Sequence, residues 1–274
     1  MDLKNISDRH VEHLDKAKRT AEVYWTKGVR KTRELKFYLL KFAVRIAIFL
    51  VFLLVYLTER EWLEKIVLQP FWSGFTLMHI LWAIFMLTML RHLIPNNRLT
   101  MAWKKARECE FRPVENYDEL KLLQYIQKQN IGAWKVLLLW LSFNAIWGIL
   151  YLFNVISEGD LVMLSVFYFL CDYICILLFC PFQTLLMKNK CCINCRIYDW
   201  GHFMMFTPML FIKNFYSWSL FFTSVVVVIH WEITYSKHPE RFWEGSNNTL
   251  QCANCKERTC QVKRAIKSKF SLNK

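Results

Sequence analysis

Two cysteine clusters carry the residue types and spacing best suited to chemistry. "CCINC" supplies Cys191, Cys192 and Cys195, and "CANCKERTC" supplies Cys252, Cys255 and Cys260. Each contains a C-x2-C pair, and two intervening residues let both sulfurs turn toward one ion, as in zinc knuckles and iron–sulfur loops. Thiolates from Cys192, Cys195, Cys252 and Cys255 would close a tetrahedral shell, with Cys191 and Cys260 as alternate or further ligands. Six thiolates would also satisfy one four-iron cluster, so spacing alone leaves zinc and iron–sulfur both open. The two pairs are separated by far more than the ~15–20 residues of a compact zinc ribbon. A joint site therefore requires the intervening chain to bring both clusters to one face. His202 and His238 are additional ligand candidates. Unliganded thiols are the plain alternative, since buried free cysteine is common and inert.

A second constellation lies inside an apolar run, where Asp172 sits among Cys171, Cys175 and Cys180. The three cysteines read as small packing residues. An acid at membrane depth is costly and faces a cavity, a proton path or a basic partner. Arg45, His79, Asn144 and Lys213 are the other polar groups expected at that depth. Asp172 with His79 would give a proton or ion route, Asp172 with Lys213 a buried pair, and interhelical hydrogen bonds the ordinary use of such groups.

Other motifs are sparse. The chain has no glycine-rich phosphate loop, G-x-S-x-G or H-E-x-x-H, which leaves nucleotide-driven and common hydrolytic mechanisms unsupported and any enzymatic activity undefined. "HVEH" at 10–13 lacks a third ligand and reads as a solvated face. "NNT" at 247–249 fits a glycosylation acceptor.

These residues must be positioned by elements that the composition defines. Of 274 residues, 55% are apolar and 16% aromatic, with only seven glycines and six prolines, which excludes a disordered or linker-rich chain. The apolar residues come in blocks of roughly 17 to 23, the length of a helix that crosses a hydrocarbon core. The fold class is an all-α, polytopic helical integral membrane protein of about six transmembrane helices, with five as the alternative. The net charge of +14 is accounted for by basic residues on the cytoplasmic side of the spans and by anionic lipid, without nucleic acid.

The clear spans are 37–57, 71–90, 136–153 and 161–182. The N-terminal segment 1–36 reads as a charged cytoplasmic helix without a cleavable signal. The loop 91–133 is basic and cytoplasmic, and its stretch "NYDELKLLQYIQKQNI" is expected to form an interfacial amphipathic helix. The cysteine loop 188–200 then faces the same side. The segment 202–235 is too long for one span at 1.5 Å per residue. It divides into 198–214 and 215–235 with a turn at Lys213 and Asn214, returning the basic tail 236–274 to the cytoplasm. A single tilted fifth span with an external tail is the rival.

The functional expectation is a multi-pass cell-membrane protein, N-terminus cytoplasmic, carrying a cytoplasmic-face thiolate metal centre, iron–sulfur or zinc. An iron–sulfur centre implies electron transfer to a membrane acceptor or partner subunit, and zinc implies a structural staple. A small transporter or channel component using Asp172, and an accessory or scaffolding subunit, are the alternatives. Partners are the lipid bilayer and a membrane protein or a second copy of the chain.

Overall fold

The computed structural model describes residues 33–68, 71–72, 74–93, 111–189, 191–192, 194–254, 259–260 and 262–263. The charged segment through residue 32 with its "HVEH", the loop residues 94–110 with Cys109, and Cys255 lie outside the described residues. The described residues are helical apart from turns and one isolated bridge between Pro113 and Asn247. The main helices are α1 (Arg33–Thr58), α2 (Arg60–Leu68), α3 (Leu77–Leu93), α4 (Glu119–Leu152), α5 (Glu158–Leu177), α6 (Gly201–Phe206) and α7 (Phe215–Lys237). Four helical stretches, Leu35–Thr58, Glu119–Leu152, Glu158–Leu177 and Phe215–Lys237, are long and apolar enough to cross a membrane, and α3 is apolar but only 17 residues long.

The helices alternate in direction. The start of α1 meets the end of α5, where Leu35 is buried with Tyr173, Ile176 and Leu177. The other end of α1 meets the start of α5, where Tyr56 donates to Asp160 and Arg60 pairs with the same carboxylate at 2.7 Å. The starts of α3 and α7 are joined by the His79 ring and the Tyr216 hydroxyl at 2.9 Å. We call the end of the bundle with the start of α1 the lower end. A shared core of Trp140, Leu161, Tyr168, Phe206, Met209 and Val227 is buried between them.

Several boundaries differ from the sequence expectation, each for a local reason. The expected second span starts six residues late, at Leu77: Phe71 and Trp72 lie in a turn, and the His79 ring meets the Phe71 carbonyl at 2.9 Å. α5 stops at Leu177, four residues before Pro181, which has no N–H to continue the ladder. Cys180 therefore lies beyond the helix. The expected interfacial helix does not stand alone: it is continuous with the third span in the 34-residue α4, about 51 Å long. Asp118 caps its start by accepting from the Lys121 N–H at 3.2 Å, and no proline interrupts it before Leu152.

The segment 202–235 is a hairpin, and the single tilted helix is not formed. Residues Arg196–Trp200 and Thr207–Phe211 are tight 3₁₀ turns flanking α6. Pro208, lacking an N–H, accounts for the second. Together they rise about 29 Å. The strand of helix so built runs antiparallel to the whole of α7: Trp231 Nε1 donates to Arg196 O at 2.6 Å, Trp200 Nε1 to Glu232 Oε1 at 3.0 Å, and Trp218 Nε1 to Leu210 O at 3.2 Å. Lys213 sits exposed in the turn between them.

Candidate thiol centre

α5, the loop after it and the tail converge on three thiols at the lower end. Cys175 lies on the last turn of α5. Pro181 turns the chain after Cys180 into a π-helical segment, Phe182–Leu186, which aims Gln183 back toward the helix end. Cys192 comes from the "CCINC" loop and Lys263 from the tail. Lys263 Nζ lies 2.7 Å from Cys192 Sγ, 2.7 Å from the Cys175 carbonyl oxygen and 3.2 Å from Gln183 Oε1. Cys192 Sγ in turn lies 2.7 Å from Gln183 Oε1 and 3.3 Å from the Cys175 carbonyl. The Gln183 N–H donates to Cys180 Sγ at 3.4 Å. Gln183, Cys180 and Cys192 are all buried, and Lys263 is half-buried.

The electrostatics follow from this packing. Cys180 is held well below the usual thiol range by the S–H groups of Cys175 and Cys192, the Gln183 N–H and the Lys263 ammonium, against the opposing effect of burial. Its hydrogen bond with Cys180 and its burial push the Cys192 thiol up, against the pull of Lys263. The ammonium touches Cys192 and the Gln183 N–H touches Cys180, so each sulfur has a donor that favours its thiolate form. A cysteine in contact with an ammonium is favoured toward the thiolate, which is the nucleophilic form.

The sequence-assigned cysteines divide around this centre. Cys195 is buried among Met187, Ile197, Trp200 and Trp231, where burial pushes its thiol up to about 12. Cys192 turns into the cluster, Cys252 is exposed, and Cys191 and Cys260 are half-buried. Among the described residues no three His, Cys, Asp or Glu side chains are grouped as a metal shell. The loop and the tail nevertheless meet, since Asn194 Nδ2 donates to Leu250 O at 3.3 Å and Lys263 reaches Cys192. His202 instead packs edge-on against His92, whose Nδ1 is 3.3 Å from Asp199 Oδ2, and His238 faces Glu240. Asn247 of "NNT" is fully buried, accepting from the Thr249 N–H at 3.0 Å and donating to Arg241 O at 2.8 Å, which corrects its reading as a glycosylation acceptor.

The polar residues expected at membrane depth are placed apart from one another. Asp172 pairs with Arg45 of α1 at 2.7 Å, and the Arg45 guanidinium stacks on Phe169 and Tyr173. Lys213, in its exposed turn, does not form the buried pair with Asp172. His79 hydrogen-bonds Thr76, the Phe71 carbonyl and Tyr216 at the opposite end of α3 from His92. Asn144 donates to Trp140 O at 2.9 Å and accepts from Tyr168 of α5 at 3.4 Å, an ordinary interhelical contact.

Sequence reasoning missed Cys175, Cys180, Gln183 and Lys263 as a group. The one local signal was Pro181, which takes Cys180 out of the apolar helix. Comparison with known proteins finds no matching family model, no matching curated protein and no matching solved structure.

Proposed function

We propose that this chain is an integral membrane protein that crosses the bilayer six times, with its lower end in the cytoplasm, and that its work is redox chemistry of the thiol centre at that end. The observation that carries the chemistry is the Lys263 ammonium 2.7 Å from Cys192 Sγ, in a cluster with Cys175 and Cys180. A lysine so placed favours thiolate over thiol, and the thiolate is the species that exchanges electrons. In support of the orientation, Lys36, Arg91, Lys121, Lys128, Lys188 and Lys237 belong to the lower end, whereas Glu59, Glu61, Glu64, Glu158 and Asp160 belong to the upper. The exposed Trp72, Phe75 and Trp218 at the upper end fit an interfacial aromatic belt. The six crossings are the four long apolar helices, α3 and the 196–211 segment.

A thiolate metal centre, zinc or iron–sulfur, is the second reading, favoured by the meeting of loop and tail. It draws on Cys191, Cys252, Cys255 and Cys260, leaving Cys192 and Cys195 turned inward. Purified full-length protein in nanodiscs, equilibrated in a series of dithiol–disulfide buffers, tests the two together. A reversible two-electron couple on metal-free, colourless protein is expected. Stoichiometric metal with thiolate charge-transfer absorbance would move the assignment to the second reading. Colourless, metal-free protein whose thiols respond neither to these buffers nor to iodoacetamide would overturn both.

A further inference from the structure

We infer that Cys192 and Lys263 are the two ends of a redox-reversible covalent bridge, in which one oxygen atom delivered by peroxide joins the cysteine sulfur to the lysine nitrogen. The inference rests on the thiol-centre reading above and adds its oxidant and its product. Distance decides the product. Lys263 Nζ lies 2.7 Å from Cys192 Sγ, close to the separation that a single bridging oxygen spans. Around that sulfur stand the lysine nitrogen, Gln183 Oε1 at 2.7 Å and the Cys175 carbonyl oxygen at 3.3 Å, and of these three only the nitrogen becomes a nucleophile, on losing a proton. The nitrogen is also held in place. An ammonium has three N–H donors, and Lys263 directs them to Cys192 Sγ, to the Cys175 carbonyl at 2.7 Å and to Gln183 Oε1 at 3.2 Å. Gln183 is fixed in turn by donating to Asn189 O at 2.7 Å, and Asn189 by a reciprocal amide pair with Gln129 of α4 at 2.8 and 3.1 Å. Nitrogen and sulfur thus meet in a set geometry, which favours reaction between them. Cys192 is 8% exposed, so the oxidant is small, and hydrogen peroxide is little larger than water.

Two peroxides are consumed, and the steps balance. The ammonium favours the Cys192 thiolate, which attacks the first peroxide; an S–O bond forms, the O–O bond breaks, and two electrons pass from sulfur to oxygen. The departing hydroxide takes a proton from the Lys263 ammonium and leaves as water. The cysteine is now a sulfenic acid and the lysine a neutral amine. A second peroxide displaces the sulfenic hydroxyl as water, exchanging one S–O bond for another. The Lys263 nitrogen attacks the oxygen bound to sulfur; the N–O bond forms, the O–O bond breaks, and two electrons pass from nitrogen to oxygen. The hydroxide so released takes the second lysine proton and leaves as water. The net change is one thiol, one amine and two peroxides to one S–O–N bridge and three waters. Two dithiols, each oxidised to a disulfide, return the thiol, the amine and one water. The bridge would join the "CCINC" loop to the tail across 71 residues of sequence.

The test uses full-length protein in nanodiscs, treated with hydrogen peroxide and mapped by peptide mass spectrometry. The expected product links the peptides holding Cys192 and Lys263 with gain of one oxygen and loss of two hydrogens, and a dithiol separates them with both side chains restored. Lys263→Arg keeps the positive charge and removes the amine, so it should lose the linked product while Cys192 accumulates a dimedone adduct. Cys192→Ser should leave Lys263 unmodified. The wild-type product is read without any variant, so a variant that fails to fold does not blunt the test. Peroxide that leaves Lys263 unmodified in the wild-type chain, whether Cys192 ends reduced, disulfide-bonded or oxidised to a sulfinic acid, while iodoacetamide still modifies the cluster, would overturn this inference and leave the thiol-centre reading standing. Thiols inert to peroxide, to iodoacetamide and to dithiol–disulfide buffers would remove both.

Discussion

Arg45 shows what a single charged side chain requires at the depth of an apolar bundle. Its guanidinium donates to Asp172 at 2.7 Å and to the Phe169 carbonyl at 2.5 Å, with the Phe169 and Tyr173 rings each 4.0 Å from the carbon. Both charges are partly desolvated, so each depends on the other. Asp172→Ala should lower the unfolding free energy in detergent by about 3 kcal/mol, the cost of stranding one partner of a buried pair. Arg45→Met combined with Asp172→Leu should recover most of that loss, because two apolar side chains need no partner. A double mutant no more stable than Asp172→Ala would show that the pair is held for a reason other than mutual neutralisation. That Asp172 needed a partner was legible from its position in an apolar run. Which cation supplies it was not, since Arg45 lies 127 residues away and the choice is made by the packing of α1 on α5.

At the scale of elements, the broken helix 196–211 docks on α4 through a glycine. A methyl group at Gly148 would lie 2.2 Å from Cζ of the Phe211 ring, and one at Gly201 would lie 3.0 Å from Asp172 Oδ1. Gly148→Val should therefore push Phe211 out of its seat and destabilise the fold by about 2 kcal/mol, in the range of overpacked cores. Phe211→Leu in the same chain should relieve part of it, read as a rise in melting temperature over the single variant. Equal melting temperatures for wild type and Gly148→Val would show that Phe211 is free to move. The turn at Lys213 and Asn214 was readable from length alone, because 34 helical residues exceed a bilayer core. The breaks around α6 were marked only by Pro208. The loop helix and the expected third span are fused through Gly132, which does not end the helix. It serves close packing instead, with Met187 Sδ 2.9 Å from where a Cβ would stand.

The whole molecule gathers its chemistry at one end because consecutive membrane-length segments alternate in direction. The hairpin of 196–211 and α7 returns the tail to the end that holds the "CCINC" loop, and the contact between Lys263 and Cys192 spans 71 residues of sequence. No window of sequence joins these two residues, whereas the C-x2-C spacing was visible and drew attention to Cys195 and Cys255 in preference to Cys175 and Cys180. Sidedness is the property on which all of this turns, and the fold offers two reporters for it. Lys213 is exposed in the turn at the upper end, and Cys252 is exposed at the lower end. In intact cells, a membrane-impermeant maleimide should label Lys213→Cys and leave the wild-type chain unlabelled. In inverted vesicles the wild-type chain should be labelled, and Cys252→Ser should lose part of that signal. Labelling of Cys252 in intact cells would place the tail outside, separate Lys263 from cytosolic reductants, and require the thiol centre to work in an oxidising compartment, where its disulfide form would persist.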